Sequence, residues 1–343
     1  MAGEIVGGIL LLLVLRAGLI WVLGSRAKAR LAAKYPAPGR LVDVGGYRLH
    51  IRSQGDRPGS GGPTVIMEGA LSESSVIWGA IPQQVAAFAR VCTYDRAGLG
   101  WSERGPKPRT ASNITEELHA LLTKAGVEPP YVLVGHSIGG LLVRLYAHRH
   151  PGEVAGMVLV DSTHEEQDLR MPASVQRLTK TSQRMMGWVL GALGALNRIG
   201  ILALFAGKAG RAWPTPIPAQ ARETYLGVVF SSATFFKTAV EENASVAENL
   251  AAARAEHIST LGNIPLVVLS AGQMPLTGAP PGVSAADLGQ LKTVIEEFPN
   301  ELASLSPQGK RVIAEKSGHY IPVDQPELVV DAIRQVVEAV QRA

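Results

Sequence analysis

Residues 131–151 read YVLVGHSIGGLLVRLYAHRHP. Four apolar or aromatic residues, Tyr131 to Val134, lead into Gly135-His136-Ser137-Ile138-Gly139, and an apolar-periodic run of Leu141, Leu142, Leu145 and Tyr146 leads out to Pro151. This pattern predicts a buried strand, a sharp turn and a helix stopped by proline. The turn fits G-x-S-x-G, in which glycines two positions either side of the serine remove side chains that would clash where the chain reverses. Ser137 is then expected at a helix N-terminus, its hydroxyl projecting from the top of a sheet. An ordinary glycine-rich strand-to-helix connection spells the same letters, so the rest of the chain has to supply chemical partners.

At 343 residues the chain is long enough for one large α/β domain with an insertion, or for two domains. With 46% hydrophobic and 18% charged residues it supports a substantial core. Cys92 is the sole cysteine, which excludes an internal disulfide framework and a cysteine-rich metal site. Set in the strand-like run RVCTYD, it reads as a small buried residue. A net charge of +4, from 33 Lys and Arg against 29 Asp and Glu, is too mild for a nucleic-acid binder unless the excess is clustered. It is clustered, but among apolar residues, and no nucleic-acid partner is expected.

Residues Ile5 to Gly24 carry thirteen Leu, Ile and Val side chains and one charge, Arg16. Twenty residues at about 1.5 Å each span about 30 Å, the hydrocarbon thickness of a bilayer. The apolar gain outweighs roughly 2.5–3.5 kcal/mol for a central arginine. Glu4 in the leading region and the lack of a small-x-small cleavage site argue for an uncleaved anchor rather than a signal peptide. Arg26, Lys28, Arg30 and Lys34 follow the span, which by the positive-inside rule puts the rest of the chain in the cytoplasm. Residues 1–35 are therefore read as an anchor and the start of a linker, Tyr35-Pro36-Ala37-Pro38-Gly39.

Beyond the linker, Arg40 to Val44 and Tyr47 to Arg52 predict a hairpin turning at Gly45-Gly46. Strands are expected at Thr64 to Met67, Val91 to Tyr94, Gly156 to Val160, Pro265 to Ser270 and Arg311 to Glu315. Helices are expected at Val76 to Ala89, Ile114 to Ala125 and Pro326 to about Val340. The alternation implies a mostly parallel sheet with helices on both faces and right-handed crossovers. Residues 162–261 interrupt it with a long helix-prone insertion between core segments 36–161 and 262–343.

A serine hydroxyl is a weak nucleophile until a base takes its proton, and the base needs an acid to fix its tautomer. Of eight histidines, His319 is the best placed, because Ser317-Gly318-His319-Tyr320 follows the last strand at the edge of the sheet where such sites form. His136 reads as packing inside the turn, and His148 and His150 as helix-end residues favoured by the helix dipole. His50, His119, His164 and His257 read as surface or structural.

Together these residues resemble an α/β-hydrolase-fold serine hydrolase. Tyr94-Asp95-Arg96-Ala97-Gly98-Leu99-Gly100-Trp101-Ser102 is similar to the family's D-R-x-G-x-G-x-S turn, and Ser317 to Pro322 with Asp324-Gln325-Pro326-Glu327 to its G-H-x-x…D-x-P-E ending. The resemblance covers about residues 40–161 and 262–343. It implies the α/β-hydrolase fold, makes residues 162–261 a cap, gives Asp95 a structural turn role and has Asp324 cap the last helix.

The acid departs from the commonest pattern, since the strand that usually precedes it ends here in Leu269-Ser270-Ala271-Gly272-Gln273. Asp161, at the end of the strand after the serine helix, is a position some relatives use and keeps the order Ser137, Asp161, His319. Asp161 is equally readable as a loop residue, with Asp287 in reserve. The oxyanion hole is expected from the backbone N–H of Ile138 and that of Ala70, or of Leu71 one residue on, although Glu68-Gly69 stands where many relatives carry His-Gly. Serine at the turn argues against dehalogenase and epoxide-hydrolase mechanisms, which use a carboxylate nucleophile.

Within the insertion, Arg170 to Arg211 contains seven Lys or Arg and no Asp or Glu, around the apolar stretch Met185 to Ala206. This fits a surface lying in an anionic membrane interface, and equally a cap whose apolar side packs on the core and lines the pocket. Either way the entrance is greasy. The expected activity is hydrolysis of carboxylic esters, with a lipophilic or lipid ester as substrate and no metal or organic cofactor. Thioester, amide or carbon–carbon bond hydrolysis on the same residues, or a non-catalytic binding protein keeping the fold, are the alternatives.

Overall fold

In a computed structural model, which describes residues 2–57, 61–208, 219–273 and 280–343, the chain forms an eight-stranded sheet. The strands are β1 (Arg40–Asp43), β2 (Arg48–Gln54), β3 (Thr64–Glu68), β4 (Arg90–Tyr94), β5 (Tyr131–His136), β6 (Val154–Val160), β7 (Leu266–Ala271) and β8 (Gly309–Ala314). Their spatial order is β1-β2-β4-β3-β5-β6-β7-β8. The first two are antiparallel and every pair from β4 to β8 is parallel. This is the α/β-hydrolase fold.

The predicted hairpin forms as read. Gly45 and Gly46 have φ of 132° and 93° and donate to Asp43 Oδ1 at 2.7 and 2.8 Å. Strand β5 is buried throughout because both faces of the sheet are covered. On one face Leu133 packs with α3 (Ala111–Lys124) and α4 (Ile138–Arg149), through Leu121 and Val143. On the other, Val132 and Val134 pack with Val329, Ile333 and Val336 of the C-terminal helix (Pro326–Arg342). Each such aliphatic side chain stabilises the fold by about 1.5–3 kcal/mol relative to exposure.

Two local readings change. The helix expected over Val76 to Ala89 is a 3₁₀ turn, Ser75–Trp78, followed by a short helix α2 (Ile81–Val85). Gly79, at φ 53°, and Pro82 at the helix start divide the apolar pattern. The chain between β7 and β8, to which the sequence assigns no element, holds a helix at Ala285–Ser304. Ser284 and Asp287 form its capping box and Asp287 also accepts from Ser174 Oγ at 2.8 Å, so the reserve acid is committed to a helix start.

Between β6 and β7 run α5 (Ala173–Arg198), α6 (Ala219–Ser231) and α7 (Phe235–Ala255). Leu226, Phe230, Phe235 and Phe236 form a cluster that also takes in Leu190 and Leu193 of α5. Ala27 and Leu31 join it from the N-terminal helix α1 (Ala2–Lys34). The segment Glu4–Lys34 is long and apolar enough to cross a membrane; its most apolar stretch has mean hydropathy 2.5 and no part buried.

Candidate active site

The reversal between β5 and α4 places Ser137 at φ 55° and ψ −121°, a conformation an L-residue holds only when its surroundings enforce it. The surroundings leave no room for side chains at the flanking glycines. A Cβ on Gly135 would lie 2.5 Å from the Gly139 carbonyl oxygen, and one on Gly139 would lie 2.6 Å from the carbonyl oxygens of Glu68 and Gly69. Ser137 thus sits at the start of α4 because the motif's glycines allow helix, strand and the β3 loop to touch.

Asp161 ends β6, the neighbouring strand, at φ 40°. Its N–H donates to Leu269 O at 2.8 Å and its Oδ1 accepts from the Ala271 N–H at 2.9 Å, which fixes the carboxylate from β7. Its Oδ2 lies 2.6 Å from His319 Nδ1. That bond settles the ring's orientation and leaves Nε2 as the free nitrogen. Gln273 takes another part: its backbone N–H donates to Ser317 O at 3.0 Å and its side chain is exposed, so it holds the histidine loop through the main chain.

The loop carrying His319 is tied down from two more directions. Ser317 Oγ donates to Asp324 Oδ2 at 2.9 Å, so Asp324 braces this loop instead of capping the last helix, whose N-cap, Gln325, makes no side-chain cap bond. His136, fully buried, has Nε2 2.9 Å from the His319 carbonyl oxygen, so it donates there. On its other side Nδ1 lies 3.5 Å from Glu73 Oε2. Burial works against a charge on His136, but the Glu73 carboxylate outweighs it and raises the imidazole above its ordinary value. Glu73 in turn is lowered, burial being overcome by its contact with His136 and by the Ala70 N–H.

Glu73 also changes the reading of the oxyanion donors. Its Oε2 accepts the Ala70 N–H at 2.9 Å, so in this conformation Ala70 has spent the donor assigned to it. Leu71, the one-residue alternative, makes no such bond among the described residues. Ile138 keeps its place directly after Ser137.

Arg96 supports this loop, and the sequence reading assigned it no role beyond the D-R turn. All five of its N–H donors are used. Nε and Nη2 bond Glu242 at 2.8 and 2.9 Å, Nη1 bonds Glu68 at 2.6 Å and Gly69 O at 3.0 Å, and Nη2 bonds Ala70 O at 2.7 Å. Glu242, on α7, also accepts the Ser72 N–H at 2.8 Å. Where many relatives carry histidine, Glu68 binds Arg96 and Tyr94 instead, and burial pushes its carboxyl up to about 7 against the pull of Arg96. Asp95 is structural, as expected: it is buried and bonds His50 Nδ1 at 2.8 Å and the Ser75 N–H at 2.6 Å.

Ser137 and His319 open into one cavity of about 650 Å³, which Ala70, Leu71 and Glu73 also line. Its remaining wall is mostly apolar, from Met186 and Leu190 of α5, Val229 and Phe230 of α6, and Phe235.

A family model described as alpha/beta hydrolase fold matches residues 63–265. The chain belongs to this family. An AB hydrolase superfamily protein of Gibberella zeae is 26% identical over 306 residues, covering 81% of this chain and 87% of its own. The epoxide hydrolase CorEH superposes with TM-score 0.63 at 16% identity, covering 88% of this chain and 98% of its own. A thermophilic esterase from Thermogutta terrifontis does so with TM-score 0.57 at 21% identity, covering 88% and 98%. These structural likenesses establish fold and leave substrate open. The first curated relatives align over 20%, 47% and 35% of their own lengths, so the chain spans less than half of each.

Two clusters outside the hydrolase cavity bring metal-ligating atoms within 4.8 Å of one another: His119, His150 and Glu153, and His164, Glu166 and Glu301. In the first the imidazoles are stacked 4.0 Å apart and nearly parallel, at 3°, so their in-plane lone pairs do not converge on one ion. In the second Glu301 is engaged by Arg170 at 2.7 Å. Neither is a built metal site.

Proposed function

We propose that the protein is a membrane-anchored serine hydrolase that cleaves carboxylic esters with lipophilic acyl groups. The observation that carries the proposal is the 2.6 Å Asp161–His319 bond in a cavity shared with Ser137. In this reading Ser137 Oγ attacks the ester carbonyl carbon and its proton passes to His319 Nε2. The tetrahedral oxyanion is held by the Ile138 N–H and by one from the Ala70–Leu71 loop. It collapses, the C–O bond to the leaving group breaks, and the alcohol departs with the proton from Nε2. Water then adds to the acyl-enzyme with His319 as base, and Ser137 leaves with the returned proton. Asp161 keeps Nδ1 protonated and stabilises the imidazolium that forms in both halves.

The apolar wall of the cavity supports a lipophilic acyl group, and the exposed apolar length of α1 supports an anchor at residues 1–35 with the basic residues after it on the cytoplasmic side. Helices of the 162–261 insertion act as the cap. Hydrolysis of p-nitrophenyl esters by detergent-solubilised protein is expected to rise in kcat/KM from acetyl to medium-chain acyl groups, each buried methylene contributing about 0.8 kcal/mol until the cavity fills. A profile that falls from acetyl onward contradicts the lipophilic pocket.

Glu73 supplies a second expectation. A carboxylate on Ala70 places negative charge beside the point where an oxyanion develops. Glu73→Gln keeps an acceptor for the Ala70 N–H and removes the charge. It is expected to raise kcat/KM by about tenfold at neutral pH, on the scale of one modest electrostatic contact. An equal or larger fall would show that the charge serves the reaction through His136.

A further inference from the structure

Helix α5 carries three kinds of residue on three successive strips of its surface. At about 100° per residue, Met186, Leu190 and Leu193 share one strip, and all three line the cavity that holds Ser137 and His319. Met185, Trp188, Val189 and Leu196 share the next, and they are 62%, 82%, 47% and 40% exposed. Arg177, Lys180, Arg184 and Arg198 follow on the far flank, all exposed. Met186 sits at the seam between the first two strips, being both a cavity wall and 51% exposed. The exposed apolar strip runs on past the helix end through Ile199, Leu204 and Phe205, at 39%, 43% and 54%.

The strip also adjoins α1. A Cβ on Gly24 would lie 2.3 Å from Ile199 O, and one on Gly200 would lie 2.4 Å from Gly24 Cα, so the two backbones cross in direct contact where α5 ends. On the C-terminal side of this crossing Ala27 and Leu31 are packed into the body of the protein. On its N-terminal side the large apolar side chains of α1, from Leu23 back to Ile5, are exposed. The apolar length of α1 therefore leaves the protein at the same place as the exposed strip of α5.

We propose that this strip is a bilayer-docking surface, lying at the headgroup–acyl boundary of an anionic leaflet, and that substrate enters the cavity from the bilayer past Met186. The inference rests on the reading of α1 as an anchor and deepens it. Apolar residues at the centre, cations on one edge and a cavity on the other match what an interfacial helix requires, the cations meeting lipid phosphates while the aromatic and thioether side chains enter the acyl region. A tether alone would leave Trp188 in water. The crossing at Gly24 and Gly200 brings it to the membrane whenever α1 spans one.

The test uses full-length protein in phosphatidylcholine–phosphatidylserine vesicles, on a Cys92→Ala background, with a nitroxide attached at Trp188→Cys or, separately, at Val14→Cys. The proposal expects both labels to be accessible to oxygen and shielded from a water-soluble nickel chelate, Val14→Cys more deeply. A lipid-exposed label at Val14→Cys with a water-exposed one at Trp188→Cys would overturn the docking surface and leave the anchor standing. Water exposure at both would overturn both. Shielding of the Trp188→Cys label from oxygen and nickel alike would mean that protein, such as a second copy of the chain, covers the strip, and would also overturn it. As a functional arm, Met185→Asp with Trp188→Asp is expected to slow hydrolysis of a vesicle-borne long-chain ester roughly tenfold while leaving a soluble acetyl ester unaffected. Equal retention of both activities would contradict the route past Met186.

Discussion

Ser137→Ala is expected to lower kcat for ester hydrolysis by about 10⁴–10⁶-fold, with little change in KM. The loss is large because the hydroxyl is the only atom that bonds covalently to the acyl group, and a bound water has no equivalent position at the φ 55° turn. KM is spared because the apolar wall that binds the acyl chain is built from α5, α6 and α7 rather than from the turn. His319→Ala is expected to fall nearly as far, since residues acting as one unit are not additive and the double variant should be little worse than either single one. Asp161→Asn should retain more, because asparagine still reaches Nδ1 but does not stabilise imidazolium. Steady-state rates on one p-nitrophenyl ester measure all three. Activity in Ser137→Ala within tenfold of wild type would remove the nucleophile from the account.

Arg96→Ala is expected to destabilise the fold by about 3–5 kcal/mol, the range found when one partner of a buried ion pair is removed. The guanidinium is 2% exposed and lies between Glu68 at 1% and Glu242 at 2%, so its loss strands two carboxylates in the core. It also frees the carbonyl groups of Gly69 and Ala70, the backbone on which the oxyanion donors depend. Stability and kcat should therefore fall together. Lysine at this position cannot reproduce the bidentate grip on Glu242, so Arg96→Lys is expected to recover only part of either. Urea denaturation in detergent reads the first effect and ester hydrolysis the second. An Arg96→Ala protein as stable as wild type would mean that the Glu68–Arg96–Glu242 network contributes little to holding the loop.

The fold was legible because its strands are short apolar runs and its turns carry glycine where positive φ is needed, as at Gly45-Gly46 and around Ser137. The partners of Ser137 were legible as positions on strand ends, and the structure brings Asp161 and His319 together as that placement requires. Three things were not legible. The Val76–Ala89 pattern looks continuous because apolar spacing does not register what Gly79 and Pro82 do to the backbone. Asp287 gave no sign of its capping box because the helix it starts was not read at all, although Ser284 three residues before an acid is itself the signature. Glu73 and Arg96 act through folded distance: Glu73 turns back on Ala70 and His136, and Arg96 reaches Glu242 from 146 positions away. An arginine in a D-R turn and a glutamate in a loop carry no local pattern that states such contacts.

Reaction with a fluorophosphonate tests the central claim most directly, because it asks only whether Ser137 is an activated nucleophile and requires no choice of ester. The account predicts that one phosphonyl group adds to the full-length protein, that peptide mapping places it on Ser137, and that His319→Ala reacts far more slowly. Labelling at any other residue, or equal labelling of Ser137→Ala, would contradict it.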